Sequence, residues 1–326
     1  MPARFIDSTD PSLPLCCPCC HRGRLVASSS HVVCDAVDCG HRFRVVDGIP
    51  ILINPRRSVF RETDFNSRAA TTFKEAGTLA QRIGRILPSP SRDVGRRKNY
   101  LRLAAELRAM DPKRRRVLVV GCGDGTASYL EIADVDDTMI LETDVSLAGH
   151  AKIICDASDM PFENGCFDLV ICQAVLEHVL EPQRCVDEMH RVLRAGGVIY
   201  ATTPFMQQVH MGEFDFMRFT RSGHRWLFRR FVELDSGVAT GPASVLVWSV
   251  EYFLLSWTGR LWPRRFIKAS TRVALGWMTL LDAALARRTP ALDASGGFYF
   301  IGRRSDVDAI SAREMIGYYS GSDWQK

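Results

Sequence analysis

Val117-Leu118-Val119-Val120 runs directly into Gly121-Cys122-Gly123-Asp124-Gly125. Four apolar residues without a polar break read as a buried strand, and glycines at alternate positions read as the turn that ends it. The following Thr126–Ile132 can be helical. A strand, a glycine turn and a helix in that order let backbone approach a ligand closely and aim N-terminal amides at a negative group. Alone, the pattern also suits dinucleotide binders. Beyond it, strand and helix patterns alternate, as in a parallel α/β sheet. The expected strands are Val117–Val120, Met139–Leu141, Ile153–Ile154, Leu169–Cys172 and Val198–Ala201, with Phe231–Leu234 and Phe298–Ile301 as two late ones. The clearest helix is Pro182–Arg194, expected to stop at Gly196-Gly197. Residues 96–110 are helical in pattern ahead of the first strand.

Acidic residues follow the glycine turn at informative places. Asp144 ends the next strand, in Leu141-Glu142-Thr143-Asp144, where a carboxylate can accept both hydroxyls of a ribose. Cys155-Asp156-Ala157-Ser158-Asp159-Met160-Pro161-Phe162 follows the third strand, where an acidic residue can receive an adenine amino group. Phe167-Asp168-Leu169-Val170 opens the fourth strand, leading to Gln173 and then Leu176-Glu177-His178-Val179.

Together with Arg191-Val192-Leu193-x-x-Gly196-Gly197, these landmarks resemble class I S-adenosylmethionine-dependent methyltransferases of the type 11 subgroup, over about residues 115–205. The resemblance implies a Rossmann-like α/β fold, a seven-stranded methyltransferase sheet with its last strand antiparallel. It implies that Gly121, Cys122, Gly123 and Gly125 cradle the methionine part of S-adenosyl-L-methionine. Asp144 would hold the ribose, Asp156 with Ala157 would meet the adenine, and Gln173 would lie beside the cofactor. Two departures from the family stand out. Val119 occupies a place often held by an acidic residue, and the stretch from Asp144 to Asp156 is short, so the second helix is expected to be a stub.

Six of the 11 cysteines precede residue 40. Clustering of this kind without a secretory leader argues for metal rather than disulfides. Cys17-Pro18-Cys19-Cys20, Cys34 and Cys39-Gly40 give the spacing C-x2-C-x13-C-x4-C. A two-residue gap lets one tight turn present two thiolates to a tetrahedral zinc. Cys16 and Cys19 offer the same gap; Cys17 and Cys20 are preferred because the proline then follows the first ligand. A segment this short buries too little apolar area to fold without a metal staple. Cys17, Cys20, Cys34 and Cys39, with the trailing Phe43-Arg44-Val45-Val46-Asp47-Gly48-Ile49-Pro50-Ile51-Leu52, resemble the zinc-ribbon family of small proteins that accompany methyltransferases. The domain reading is therefore a tail over 1–15, a ribbon with structural zinc over 16–54, a connector over 55–95 with one helix near Ala69–Leu87, and a methyltransferase domain over 96–326.

An acceptor site is expected in loops at the carboxyl ends of the strands, where three pieces fit: Gln173 with His178, the stretch after Thr203-Pro204-Phe205, and Arg221 to His224. The stretch from Gln207 to Thr220 packs polar groups among aromatics. His210 is the candidate base or acceptor orienter, with Asp215 and Arg218 shaping the site. The competing reading makes Asp215 and Arg218 a structural ion pair and His210 a cap. His178 is expected to start or orient a helix.

The insertion over 243–290 is strongly apolar from Ala243 to Trp257, then carries Arg260, Arg264, Arg265, Lys268 and Arg272 among Trp262, Phe266 and Ile267. Cationic residues beside aromatics at helical spacing can lie on an anionic membrane surface, which suits a lipid-linked acceptor. The alternative is a helical lid or an oligomer contact. No run of 18 apolar residues exists and no leader is apparent, so a cytoplasmic protein, membrane-peripheral through 243–272, is expected. The net charge of +5 does not argue for nucleic acid. The Arg-rich stretch 92–116 lacks the interleaved aromatics that stack bases. The expected substrate is accordingly a small-molecule, glycan or lipid-linked acceptor, with RNA and a non-catalytic scaffold as the competing functions.

Overall fold

The computed structural model describes residues 3–6, 10, 12–28, 30–65, 93–111, 115–123, 129–147 and 149–322. The connector helix expected over 69–87 lies outside them, as does Gly125.

The N-terminal part contains β1 (Arg4–Ile6), β2 (Leu25–Ala27), β3 (His31–Cys34), β4 (Arg42–Val46) and β5 (Ile49–Pro50). Then come α1 (Arg96–Arg108), β6 (Arg115–Val120), α2 (Leu130–Ala133), β7 (Thr138–Asp144), β8 (Ile153–Ile154) and β9 (Phe167–Gln173). The rest contains α3 (Pro182–Val192), β10 (Leu193–Pro204), α4 (Arg221–Leu227), β11 (Phe231–Thr240), α5 (Pro242–Leu255), α6 (Leu261–Leu275) and β12 (Gly297–Arg304). The main sheet runs β1-β7-β6-β9-β10-β12-β11, with β8 also on β7. All seven expected strands are present, and β12, last in the chain, is antiparallel to both its neighbours. The eighth strand is β1, which pairs in parallel with β7 where the sequence suggested a loose tail.

Strand periodicity builds two cores. Val117 and Val119 face one side with Tyr100, Leu103 and Leu107 of α1. Leu118 and Val120 face the other, with Cys185, Val186 and Met189 of α3. Burial on both faces explains why the strands read as unbroken apolar runs. The expected end of the long helix at Gly196-Gly197 is corrected: α3 stops at Val192 and the chain enters β10. The pairing of β10 with β9 shifts register between Leu193 and Val198. Gly196, with φ +76°, sits inside that irregularity, a left-handed backbone that glycine takes without strain.

Strands β2 to β5 form a small antiparallel sheet. It is welded to the main one. Cys17, Val32, Phe43 and Leu52 share the core that holds Leu118 and Val170. Ile51 bridges Ile154 in parallel, and the Leu52 amide donates to the Ile154 carbonyl at 2.8 Å. No described helix is long and apolar enough to cross a membrane.

Candidate active site

At the end of β6 the chain turns through Gly121 and Gly123, with φ +68° and +57°. A Cβ on Gly121 would lie 2.3 Å from Val175 Cγ2, whereas one on Gly123 would meet nothing within 4 Å among the described residues. Gly121 is therefore required twice, for its dihedral and for its room; Gly123 only for its dihedral. The turn is tied to β7: the amides of Gly121 and Cys122 donate to the Thr143 carbonyl at 2.9 and 3.1 Å. The Gly123 amide donates to Asp144 Oδ2 at 2.9 Å, and the Val145 amide donates to Asp144 Oδ1 at 2.7 Å. The Asp144 carboxylate is thus fixed beside the turn.

A cavity of about 380 Å3 opens there, within the size range of ligand sites. Gly121, Gly123, Asp144, Asp156, Ala157 and Gln173 all line it. Cys122 does not: it packs against two apolar clusters, and burial raises its thiol well above the ordinary range. The sequence reading missed the wall supplied by Arg57, Val59 and Phe60, from the segment after the small sheet. Ser58 in that segment donates its hydroxyl to Asp156 Oδ2, while the amide and hydroxyl of Ser158 donate to Oδ1 at 2.8 and 2.7 Å. The Phe60 ring stacks on Phe214, with centroids 5.9 Å apart and planes at 16°, joining this wall to the loop that leaves β10.

His210, Asp215 and Arg218 do not line the cavity. Arg218 makes a two-pronged pair with Asp215, and its guanidinium also donates to the carbonyls of Gln207 and Gln208 at 2.9 and 3.2 Å. The pair clamps the loop, the structural alternative that the sequence allowed. Burial alone would raise the Asp215 carboxyl, but Arg218 and the His210 amide outweigh it and hold it down to about 2. Loop residues Met211, Phe214 and Phe216 do reach the cavity. So does His178, which lies in a 3-10 turn with Leu176 and Glu177 just after β9. His178 Nδ1 is 2.7 Å from the Phe214 carbonyl, which only accepts, so the neutral ring carries its proton on Nδ1. Burial lowers the pKa of His178. The sequence signal for His178 was its place at the carboxyl end of a central strand. Beside it Glu177 is 0% exposed, and burial pushes its carboxyl up to about 8.

A second cluster lies in the small sheet. The thiols of Cys17, Cys20, Cys34 and Cys39 all fall within 4.8 Å of one another. Cys17 and Cys39 are 3.7 Å apart, as are Cys20 and Cys34. Zinc–sulfur bonds of about 2.3 Å at tetrahedral angles give a sulfur–sulfur edge of about 3.8 Å, so the donor set fits that ion. Among the described residues Cys16 and Cys19 are not part of the cluster. The residue after each second cysteine, His21 and Gly40, is left-handed, with φ 53° and 51°. His21 Nε2 reaches Asp159 Oδ1 at 2.6 Å, and Asn54 Nδ2 donates to Asp159 Oδ2 at 2.8 Å. Asp159 is three residues from Asp156, so the cysteine cluster and the cavity lean on one loop.

The methyltransferase domain family model matches residues 118–201. A demethylmenaquinone methyltransferase of Clavibacter sepedonicus is 34% identical over 95 residues, covering 26% of this chain and 39% of the relative. A Mycolicibacterium smegmatis protein named for S-adenosylmethionine-dependent methyl transfer is 32% identical over 114 residues, 32% of this chain and 42% of the relative. Among solved structures, phosphoethanolamine N-methyltransferase 2 of Haemonchus contortus in complex with S-adenosyl-L-methionine matches with a TM-score of 0.42 at 12% identity, covering 64% of this chain and 53% of that one. Geranyl diphosphate methyltransferase with the same cofactor matches at 0.40 and 13% identity, covering 64% and 84%. The chain spans about two-fifths of the length of these curated relatives. The matched residues 118–201 run from β6 through β10 and include the turn, Asp144, Asp156 and Gln173 that line the cavity.

Proposed function

We propose that the chain is an S-adenosylmethionine-dependent methyltransferase whose acceptor is a lipid-linked or otherwise amphipathic small molecule or glycan. One observation carries the cofactor assignment: the glycine turn, Asp144, Asp156 and Ala157, scattered over 37 positions of sequence, line a single cavity. The residues suit the cofactor's parts. Open space at Gly123 admits a methionyl chain against backbone, Asp144 is held where a ribose would need it, and Ala157 is small beside an adenine. When bound, the cofactor supplies an electrophilic methyl on a sulfonium. The chain's residues then bind, orient and exclude water. Alignment of an acceptor with the methyl is worth several kcal/mol. Phe60, Phe214 and Phe216 keep the cavity apolar around it.

The acceptor class is supported by the α5–α6 hairpin and the turn after it, which leave an apolar face exposed. Val245, Val247, Trp248 and Leu255 pack α5 inward together with Ser244 and Glu251, and Thr271 is buried on α6. Asp282 accepts from the amides of Ala243 and Ser244, capping α5 from within. The outer face of α6 carries Trp262, Phe266 and Val273, continued by Trp277 and Leu280 in the 3-10 turn that follows, with Trp257 79%, Trp262 78% and Phe266 73% exposed. Arg260 and Arg265 are exposed beside them. An exposed aromatic stripe with adjoining cations suits the interface of an anionic bilayer. The hairpin also touches the acceptor loop, since Tyr252 donates its hydroxyl to the Val209 carbonyl at 3.1 Å.

Zinc in the four-cysteine cluster completes the reading, as a structural ion holding the small sheet against the cavity. Calorimetry with S-adenosylmethionine tests the whole: binding by the full chain, weakened at least tenfold in Asp144→Ala, is the expected result. No binding and no thermal shift would favour a scaffold with an empty shell instead.

A further inference from the structure

Glu177, His178 and His210 form a cluster that the cofactor assignment leaves unused. One ligand-type atom of each lies within 4.8 Å of the others. Glu177 is fully buried, and among the described residues neither of its carboxylate oxygens has a hydrogen-bond partner. A carboxylate removed from water without a hydrogen bond is unfavourable unless a proton or a cation joins it. The neighbouring cation, Arg218, is committed to Asp215 by a two-pronged pair. The two imidazoles are arranged alike. Nδ1 of His178 donates to the Phe214 carbonyl at 2.7 Å, and Nδ1 of His210 lies 3.3 Å from Asp215 Oδ2. An acceptor at one ring nitrogen fixes a histidine's tautomer and presents the other nitrogen as a ligand. His178 Nε2 and Glu177 Oε1 are 3.7 Å apart, a span that two ligands of one ion at about 2.1 Å can bridge.

We infer that Glu177, His178 and His210 hold a divalent transition-metal ion at the rim of the cofactor cavity. Two imidazoles and one carboxylate leave coordination positions open, and this donor set suits manganese, iron, cobalt or zinc better than magnesium. His178 belongs to the cavity wall, so an open position there can take an acceptor oxygen. Coordination makes a hydroxyl more acidic. Its proton leaves to solvent, the oxygen–carbon bond forms as the carbon–sulfur bond breaks, and the sulfonium becomes a neutral thioether. Only this last step rests on the methyl-transfer reading; occupancy by the ion does not. Asp215 and Arg218 act here as positioning residues for His210.

The test titrates manganese(II) alone into the dialysed full-length protein, followed by loss of the free-ion paramagnetic resonance signal. Manganese is the probe because thiolate sites disfavour it. The inference expects one bound equivalent per chain. Glu177→Gln and His210→Ala should each raise the dissociation constant at least tenfold, with S-adenosylmethionine affinity held within twofold by calorimetry. Since Glu177 is buried and its variant can fail to fold, the half-exposed His210 supplies the decisive substitution. Absence of manganese binding at millimolar concentration, or binding indifferent to His210→Ala, overturns the inference. Cofactor binding without manganese binding removes the metal alone; manganese binding without cofactor binding removes the methyl-transfer reading alone.

Discussion

Ser58 and Asp156, 98 positions apart in sequence, are joined by a 2.6 Å hydrogen bond from the serine hydroxyl to Oδ2. Through it the segment that follows the four-cysteine sheet grips a carboxylate on the floor of the cavity. Hydrogen bonds to charged groups contribute about 1.5–3 kcal/mol, and Ser158 keeps Asp156 oriented when this one is lost. Ser58→Ala should therefore weaken S-adenosylmethionine binding by roughly threefold to tenfold, through slackening of the wall at Arg57 and Phe60. Calorimetry on the variant reads this directly. An unchanged dissociation constant would show that the wall keeps its place without the bond.

The two glycines of the turn should respond differently. Alanine at either position adopts a left-handed backbone at about 1–2 kcal/mol. At Gly121 the new methyl also runs into Val175, whereas at Gly123 it finds open space. Gly121→Ala should abolish measurable cofactor binding, and Gly123→Ala should weaken it by about tenfold. Adding Val175→Ala to Gly121→Ala relieves the clash but not the dihedral, so it should restore binding only to the level of Gly123→Ala. Equal effects of the two single variants would contradict this.

The contrast between legible and illegible parts of the site has a physical basis. Gly121, Asp144 and Asp156 were readable because each lies at, or within two residues of, the end of a parallel strand, where local pattern fixes both backbone and position. Ser58 and Phe60 were not, because nothing in their neighbourhood encodes a partner about a hundred residues away. His178 and His210 show the same limit at short range. Both stand among aromatics and polar groups, and the preference for His210 followed loop composition. The fold instead gives His178 the cavity and leaves His210 behind it, with their rings 4.8 Å apart. The strand β1 was missed because three residues are too few for a period to show. Cys17 and Cys20 were separable from Cys16 and Cys19 only by the proline argument, and the thiol geometry follows the same choice.

Loss of the four-cysteine site should reach the cavity. Phe43 and Leu52 of the small sheet share a core with the strands beneath the cofactor site, and Asn54 and His21 both hold Asp159. Structural zinc sites contribute folding free energy outright. Cys34→Ser should lower the melting temperature and weaken S-adenosylmethionine binding at least tenfold. In a cobalt titration it should also lose the thiolate charge-transfer bands. A variant that loses those bands yet binds cofactor normally would separate the two sites.

His224 sets a pH response of its own. It is 2% exposed, packed edge-on against Phe228, and its Nε2 has no hydrogen-bond partner among the described residues. Burial drops its pKa from 6.5 to about 3. The folded state therefore keeps it neutral while the unfolded chain binds a proton below pH 6.5. Its contribution is fully present above that pH and declines as pH falls toward 3, by up to about 1.4 kcal/mol per unit. Urea melts at pH 7 and pH 5 should show the wild type losing about 2 kcal/mol more than His224→Phe. Parallel losses in the two proteins would mean that other groups carry the acid sensitivity.

The hairpin offers the sharpest test of where the acceptor resides. Trp262 and Phe266 of α6 are largely exposed, and Trp262 meets Arg265 across its ring, so replacing them removes little packing from the fold. Burying aromatic side chains in an interface and bringing cations to an anionic surface both favour attachment, and salt weakens only the second. The full-length protein should sediment with phosphatidylglycerol vesicles at low salt and much less with phosphatidylcholine vesicles. Trp262→Ser with Phe266→Ser should reduce sedimentation at least tenfold while leaving the melting temperature and cofactor affinity intact. Charge reversal at Arg260 and Arg265 should remove the preference for anionic lipid but spare part of the binding. If the protein stays in the supernatant and instead forms a dimer that the same double substitution dissolves, the exposed stripe is a contact between copies of the chain, and the acceptor need not come from a membrane.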